Sequence, residues 1–164
     1  MLRIAQARSA NDITVARELL LEYQALLRVD LSFQGFEAEV RGLPGDYAPP
    51  SGRLLLAVND DIPVGCVALR AAGGTRSEMK RLFVRPTARG LGIAKSLVSR
   101  VLDEARAIGY SVIVLDTLPS MAEAQRLYEH FGFRDIPPYR ANPVQGTRYL
   151  SKSLLGAKNR RAAD

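Results

Sequence analysis

The chain contains 164 residues, of which 47% are hydrophobic and 24% charged, and its formal net charge is +6. This length suits one domain with a core of ordinary size, and no apolar run approaches the roughly 18 residues that a membrane-spanning helix needs. The single cysteine, Cys66, excludes an internal disulfide, and with the single histidine, His130, it excludes an ordinary Cys/His zinc site. We therefore expect a globular domain with no metal and no membrane span.

The two ends of the chain bear on its location and its domain bounds. The first residues lack the long apolar stretch of a secretory signal, so we expect a cytoplasmic protein. Lys158, Arg160 and Arg161 lie within the last seven residues, so we predict one domain over residues 1–155 and a basic, disordered tail over residues 156–164. A basic composition is also typical of nucleic-acid-binding proteins, but the chain has no DNA- or RNA-binding motif, so we do not favour that function.

Hydrophobic periodicity and turn residues predict strands and helices in alternation. Ser9 and Asp12 form a pattern typical of a capping box at the start of an amphipathic helix. Glycines and prolines interrupt residues 30–52, which are expected to form loops around a short helix. A hairpin turns at Asp60 and the residue after it. Strands are predicted over residues 2–7, 53–59, 62–71, 78–84, 112–115, 133–136 and 147–154.

The second half of the chain predicts two parallel strands joined by a helix. The helix covers residues 91–108, and the apolar run 112–115 predicts a buried strand parallel to strand 78–84 through a right-handed crossover. Ser120 and Glu123 form a second capping-box pattern, which predicts a further helix. The order of elements therefore indicates an α/β domain with a mixed sheet.

The most informative segment is a basic, glycine-containing turn that connects a strand to a helix. The first N–H groups of a helix lack intrahelical partners, and the helix dipole places about half a positive charge there. Gly90 and Gly92 leave those amides accessible, while Arg85, Arg89 and Lys95 add side-chain charge. The turn therefore predicts a binding site for a phosphate-bearing ligand.

Two nucleotide-binding patterns fit this turn poorly. A dinucleotide turn requires G-x-G-x-x-G, but Lys95 occupies the position of the third glycine, and no acidic residue follows about 20 positions further on at the end of a second strand. A P-loop requires G-x-x-x-x-G-K-[ST]. Ala94-Lys95-Ser96 is similar to the end of that pattern, but Ala94 replaces its last glycine and Arg89 its first.

The pattern that fits is R-x-x-G-x-A, formed by Arg89, Gly92 and Ala94. A second pattern, L-Y-E-x-x-G-F, runs from Leu127 to Phe133, one helix and one strand further along the chain. With these two patterns in this order, the chain resembles the GCN5-related N-acetyltransferases (GNAT), in which a [QR]-x-x-G-x-[GA] turn holds the pyrophosphate of acetyl-coenzyme A.

The resemblance implies a mixed, mostly antiparallel sheet whose central parallel strands are splayed and flanked by helices. It also implies acetyl-CoA as cosubstrate and N-acetyltransferase activity. Met121 stands where many members carry an asparagine that contacts pantetheine, and the neighbouring serine could substitute for it. The residues that the resemblance assigns to the coenzyme are Leu82, Phe83, Val84, Arg89, Gly90, Leu91, Gly92, Ile93, Ala94, Lys95 and Ser120.

Glu78 and Tyr128 are the catalytic residues that the resemblance implies. Glu78 precedes the arginine of the turn by eleven residues, a spacing similar to that of family members with a glutamate base, although it could instead pair with Lys80 or Arg81. Tyr128 would donate a proton to the departing coenzyme sulfur, although it could instead serve only to pack the apolar face of its helix.

The acceptor is expected over residues 30–50 and the loop 137–143. Tyr139, Arg140 and Asn142 could hold a carboxylate or an amide there. The acidic residues Glu37, Glu39 and Asp46 could attract an amine, and the acceptor would be a small amine, an amino acid or a peptide N-terminus. A coenzyme A-binding sensor without turnover is the rival hypothesis, and the two intact catalytic candidates argue against it. A homodimer is compatible with the resemblance.

Overall fold

A seven-stranded sheet forms the centre of the fold. The computed structural model describes residues 1–156, so the predicted tail lies outside the described residues from residue 157 onward. The strands are β1 (Leu2–Gln6), β2 (Arg53–Asn59), β3 (Ile62–Ala71), β4 (Arg76–Val84), β5 (Val112–Thr117), β6 (Arg134–Asp135) and β7 (Arg148–Ser153). The helices are α1 (Ala10–Leu27), α2 (Phe36–Arg41), α3 (Ile93–Ile108) and α4 (Ala122–His130).

The strand order is β1-β2-β3-β4-β5-β7-β6, and within the described sheet only β4 and β5 are parallel. The predicted mixed, mostly antiparallel α/β fold is therefore confirmed. The hairpin between β2 and β3 also turns where it was predicted, with Asp60 and Asp61 in the left-handed conformation that a tight hairpin turn requires.

Helices cover both faces of the sheet, because the central strands bury both sets of alternating side chains. On β2, Leu55 and Ala57 join the core formed with α3 and α4, whereas Leu54 and Leu56 join the core formed with α1 and α2. A strand buried on both faces needs an unbroken apolar run, which this segment has. Over the described part of the chain, no helix combines the length and the apolar character needed to span a bilayer.

The parallel pair β4–β5 separates after three paired residues. Arg76–Glu78 pair with Val112–Val114, but β4 continues to Val84 and β5 to Thr117 without further pairing between them. The predicted splay is therefore present. On its other side β4 carries a bulge opposite β3, and Arg81 at this bulge has a left-handed backbone with φ of 61°.

The two predicted capping boxes differ in outcome. At α1 the box is present, since Ser9 Oγ accepts from the Asp12 N–H at 3.0 Å and Asp12 accepts from the Ser9 N–H at 3.1 Å. At α4 the prediction is wrong: the N-cap is Met121, and no side chain caps the helix. The Met121 N–H bonds to the Leu118 carbonyl at 3.0 Å, and this tight turn delays the helix start beyond Ser120.

Candidate active site

A groove of about 800 Å³ lies between α1, the end of β4, the turn before α3, and α4. It collects the residues that the sequence assigned to a coenzyme, although their role in binding stays a prediction. Leu91 is the exception, since it does not line the groove and its side chain is 64% exposed. The predicted residues on the groove wall are Leu82, Phe83, Val84, Arg89, Gly90, Gly92, Ile93, Ala94, Lys95 and Ser120.

The N-terminus of α3 opens into this groove. Gly90 and Gly92 have φ of 82° and 77°, a backbone region that favours glycine. Gly92 is the N-cap, and no side chain bonds to the free amides of the first turn. A Cβ added at either glycine would meet no protein atom within 4 Å, so the space above these amides belongs to the groove. Free N–H groups and open space together suit a diphosphate.

The basic side chains near the turn have different orientations. Arg89 is exposed, and its Nε donates to the Val84 carbonyl at 3.1 Å, which ties the side chain to the end of β4. Arg85 instead donates to both carboxylate oxygens of Glu22, at 2.7 and 2.9 Å, and to the Pro63 carbonyl at 2.7 Å. The prediction that Arg85 adds its charge to the turn is therefore wrong.

At its inner end the groove adjoins a small cavity of about 40 Å³ between the separated ends of β4 and β5. Tyr23, Leu82 and Met121 line both spaces, so the two are neighbours. Tyr128 lines the cavity with 6% of its surface exposed, and its ring packs edge-on against Phe133 at 5.7 Å between centroids. Burial raises the pKa of Tyr128, so its hydroxyl is protonated at neutral pH and can donate.

Glu78 lies beside this cavity in a cluster of charged side chains. It is 1% exposed and accepts from Arg70 at 2.9 Å, from the Tyr139 hydroxyl at 2.7 Å and from Arg140. Burial alone would raise the pKa of Glu78, but the Lys80 charge and the hydrogen bonds from Tyr139 and Arg140 lower it below the usual value. The carboxylate is therefore ionised. Its ion-pair partners are Arg70 on β3 and Arg140 in the loop after β6, rather than Lys80 or Arg81.

Two charged residues of the cavity wall have no role in the motif pattern. Lys80 is 7% exposed, and among the described residues the hydrogen-bond partner of its Nζ is the neutral Gln34 Oε1, at 3.4 Å. Burial and the nearby Arg81 charge lower the pKa of Lys80 to about 8. Asp116 lies opposite on β5. The sequence carries a signal for this cluster. Glu78 and Lys80 are two residues apart on one strand and so share a face, and α1 and α3 cover both faces of that strand, which predicts that both charges are buried.

Arg81 connects the cavity wall to α2. Its guanidinium donates to both oxygens of Glu39, at 2.8 and 2.9 Å, and lies 4.9 Å from the centroid of the Phe36 ring. Glu39 was among the residues that could have attracted an acceptor amine, and this ion pair occupies it instead.

A sequence model described as the acetyltransferase (GNAT) family matches residues 17–133, which is most of the chain. The chain belongs to the GNAT family. A protein of Schizosaccharomyces pombe named an uncharacterized N-acetyltransferase is 37% identical over 149 residues, covering 90% of this chain and 91% of its own length. An IAA acetyltransferase of Azospirillum brasilense is 43% identical, covering 65% of this chain and 71% of its own length. This GNAT chain is therefore an acyltransferase.

Solved structures share the fold. A GNAT acetyltransferase from Staphylococcus aureus superposes with a TM-score of 0.79 at 23% identity, covering 94% of this chain and 100% of the other. An N-acetyltransferase from Thermoplasma acidophilum, solved in complex with coenzyme A, superposes with a TM-score of 0.72 at 14% identity, covering 93% and 99%. These likenesses extend over the sheet and the helices that surround the groove.

Proposed function

We propose that the protein is an acetyl-CoA-dependent N-acetyltransferase that acetylates a primary amine by direct attack within a ternary complex. One observation carries the proposal: the groove that begins at the free amides of α3 adjoins the cavity that Tyr128 lines, since Tyr23, Leu82 and Met121 form part of the wall of both. A carrier bound along the groove by its diphosphate would bring its other end to this cavity, where an acceptor can enter between β4 and β5.

The groove offers two kinds of backbone contact to the coenzyme. The amides from Leu91 to Lys95 would hold the diphosphate, with Arg89 beside them. The edge of β4 around Leu82 and Val84 has no strand partner on the β5 side in the described sheet. Apart from the Val84 carbonyl, which accepts from Arg89, the main-chain groups on this side would be available to the pantetheine amides as to an added strand. Ser120 and Met121 lie on the opposite wall.

The reaction has a proton to move at each end. An alkylammonium with a pKa of about 10.4 is neutral in roughly one molecule per thousand at pH 7, which corresponds to about 4–5 kcal/mol. Glu78 would accept that proton through a water molecule, because its own oxygens are occupied by Arg70, Tyr139 and Arg140. Tyr128 would donate a proton to the departing sulfur, because its hydroxyl is protonated at neutral pH.

The names of relatives support an amine acceptor of small size. N-acetylaspartate synthetase of the rat is 42% identical over 89 residues, which cover 54% of this chain and 30% of the synthetase. Its name describes the acetylated form of an amino acid. The proposal therefore includes amino acids beside other small amines and peptides.

The decisive experiment measures coenzyme binding and thiol release separately. Acetyl-CoA should bind in calorimetry, and a panel of small amines, amino acids and peptides should include one that releases free thiol. Tyr128→Phe should lower kcat by about tenfold or more while the affinity for coenzyme stays within a factor of about two.

Tyr110→Phe is the matched control, because the Tyr110 hydroxyl bonds to the Ser51 carbonyl at 2.6 Å and lies outside the groove lining. It should leave kcat unchanged. Binding of coenzyme without thiol release for any amine would favour a non-catalytic sensor domain, and an unchanged kcat in Tyr128→Phe would remove Tyr128 from the mechanism.

A further inference from the structure

Lys80 places a buried positive charge in the cavity without a negative partner. Among the described residues, no carboxylate lies within ion-pair distance of its Nζ, and its hydrogen-bond partner is the neutral amide oxygen of Gln34 at 3.4 Å. A buried ammonium loses its hydration and needs a compensating charge. After burial itself, the Arg81 charge lowers the pKa of Lys80 further, and the nearby Glu78 charge offsets this only in part. The Lys80 ammonium therefore lacks a carboxylate in direct contact.

Asn142 points a second donor into the same cavity. Its Oδ1 accepts the Val144 N–H at 2.8 Å, which fixes the orientation of the amide group. Its Nδ2 is buried and has no hydrogen-bond partner. A buried N–H group without a partner is costly, so an acceptor oxygen is missing here too. Lys80 and Asn142 both line the cavity, and each could donate a hydrogen bond to an anionic or carbonyl oxygen of a ligand.

Asp116 supplies the opposite kind of group. Its Oδ2 is buried without a hydrogen-bond partner, and the nearest cation, Nη1 of Arg140, is 3.8 Å away. Unlike Glu78, whose oxygens both accept hydrogen bonds, Asp116 has a free acceptor inside the cavity. Its charge also acts on Tyr128, whose pKa it raises after burial and Tyr23. A cation held by Asp116 would therefore lie close to the proposed acid.

We infer that this cavity binds an acceptor that carries both an amine and a carboxylate, that is, a free amino acid. Asp116 would hold the ammonium beside Tyr128, and Lys80 with the Nδ2 of Asn142 would hold the carboxylate. The inference rests on the proposed N-acetyltransferase function and specifies its substrate class. The cavity is small, so a free amino acid suits it better than a polypeptide, and the cations Lys80, Arg81 and Arg140 repel polyamines.

The test compares each of the common L-amino acids with its carboxamide, in which the amine is kept and the carboxylate is lost. The best amino acid should exceed its carboxamide in kcat/KM by about 100-fold, because a site built around a polar group strongly rejects an analogue that lacks it. Lys80→Met should reduce that ratio to about threefold or less, chiefly through KM of the amino acid, and Lys80→Arg should restore part of it.

Asn142→Asp provides a second variant that does not alter Lys80. It replaces the donor by a negative charge and should raise KM for the amino acid by about tenfold or more, while the affinity for coenzyme A stays unchanged. Asn11→Asp is the matched control, since Asn11 is exposed on α1, and it should have no effect on KM.

The outcomes separate the two proposals. If carboxamides or simple alkylamines are acetylated as well as amino acids, or if Lys80→Met keeps the preference, the inference about the carboxylate is overturned and the acetyltransferase function stands. If no amine of any kind releases thiol although coenzyme A binds, the proposed function fails and the inference fails with it.

Discussion

The two ends of the groove are built from different materials. At the turn before α3, the groups proposed to bind the coenzyme are main-chain amides, and the charged side chains Arg89 and Lys95 are exposed. At the cavity, the groups are buried or half-buried side chains from β4, β5 and the loop after β6, with Lys80 and Asp116 as examples. A coenzyme that many enzymes share can be bound by a local backbone geometry, whereas a particular acceptor needs side chains brought together from distant parts of the chain.

The largest expected effect concerns the buried cluster. Glu78→Gln removes one negative charge that faces Arg70 and Arg140, and breaking such a buried pair should lower the free energy of unfolding by about 2–4 kcal/mol at pH 7. Because the pKa of Glu78 is lowered from 4.5, the contribution of the carboxylate is complete above about pH 4.5 and is lost as the pH falls through the pKa of the folded state. Urea unfolding at pH 7 and below pH 4 measures both.

Glu104→Gln is the matched control for this change. Glu104 also accepts from two arginines, Arg53 and Arg100, but it is 19% exposed and lies on α3 away from the groove lining. Its loss should cost less than half as much. Under saturating substrates, Glu78→Gln should also lower kcat by about tenfold or more if Glu78 is the base, and an unchanged kcat in the folded variant would leave Glu78 a structural role only.

The next effect tests the backbone end. Gly92→Asp places a side chain and a negative charge where the diphosphate is expected, and coenzyme A affinity should fall by about 100-fold, since like charges at short range repel strongly. Gly74→Asp is the control with a similar left-handed backbone, φ of 58°, in the turn between β3 and β4. It should keep coenzyme affinity. Calorimetry on both decides, and a less than threefold loss in Gly92→Asp would place the diphosphate elsewhere.

The smallest effect goes in the opposite direction. The pKa of Lys80 is lowered from 10.5 to about 8, so the unfolded chain binds more protons between these pH values and the stability of the wild type rises with pH there. Lys80→Met should therefore raise the free energy of unfolding by about 1–3 kcal/mol at pH 7. The difference should shrink as the pH approaches 10.5.

Lys95→Met provides the reference, because Lys95 is exposed and its removal should change stability by less than about 0.5 kcal/mol. A loss of stability in Lys80→Met, or a gain that does not change with pH, would contradict the claim that the buried Lys80 ammonium lowers the free energy of unfolding.

The same contrast explains what could be predicted from the sequence. The turn with Gly90 and Gly92 is a local pattern, and the strand, the turn and the start of α3 follow from neighbouring residues. The splay of β4 from β5 could not be derived from periodicity, and it was expected because of the family resemblance. The second capping box failed because a turn at Leu118 and Met121 displaced the helix start, a difference of one residue that composition does not reveal.

The charged cluster was less accessible to sequence reasoning. Glu78 pairs with Arg70, which lies opposite it on the neighbouring antiparallel strand β3, and with Arg140, 62 positions away. The register of the β3–β4 hairpin connects the first pair, but no spacing rule connects Glu78 with Arg140. Arg85 was placed at the turn because of its proximity along the chain, yet Glu22 on α1 binds it. Long-range ion pairs depend on the packed fold, so only the residue types could be anticipated.

The bulge at Arg81 has a consequence for how this enzyme could change its substrate. The left-handed backbone there directs a buried guanidinium onto Glu39 and Phe36, so the segment that carries α2 is anchored to the same strand that supplies Glu78 and Lys80. If that segment alone were replaced, the Arg81 guanidinium would stay buried in the cavity wall without an ion-pair partner. A replacement segment would therefore need an acidic residue at the position that Glu39 now occupies, or Arg81 would have to be changed at the same time.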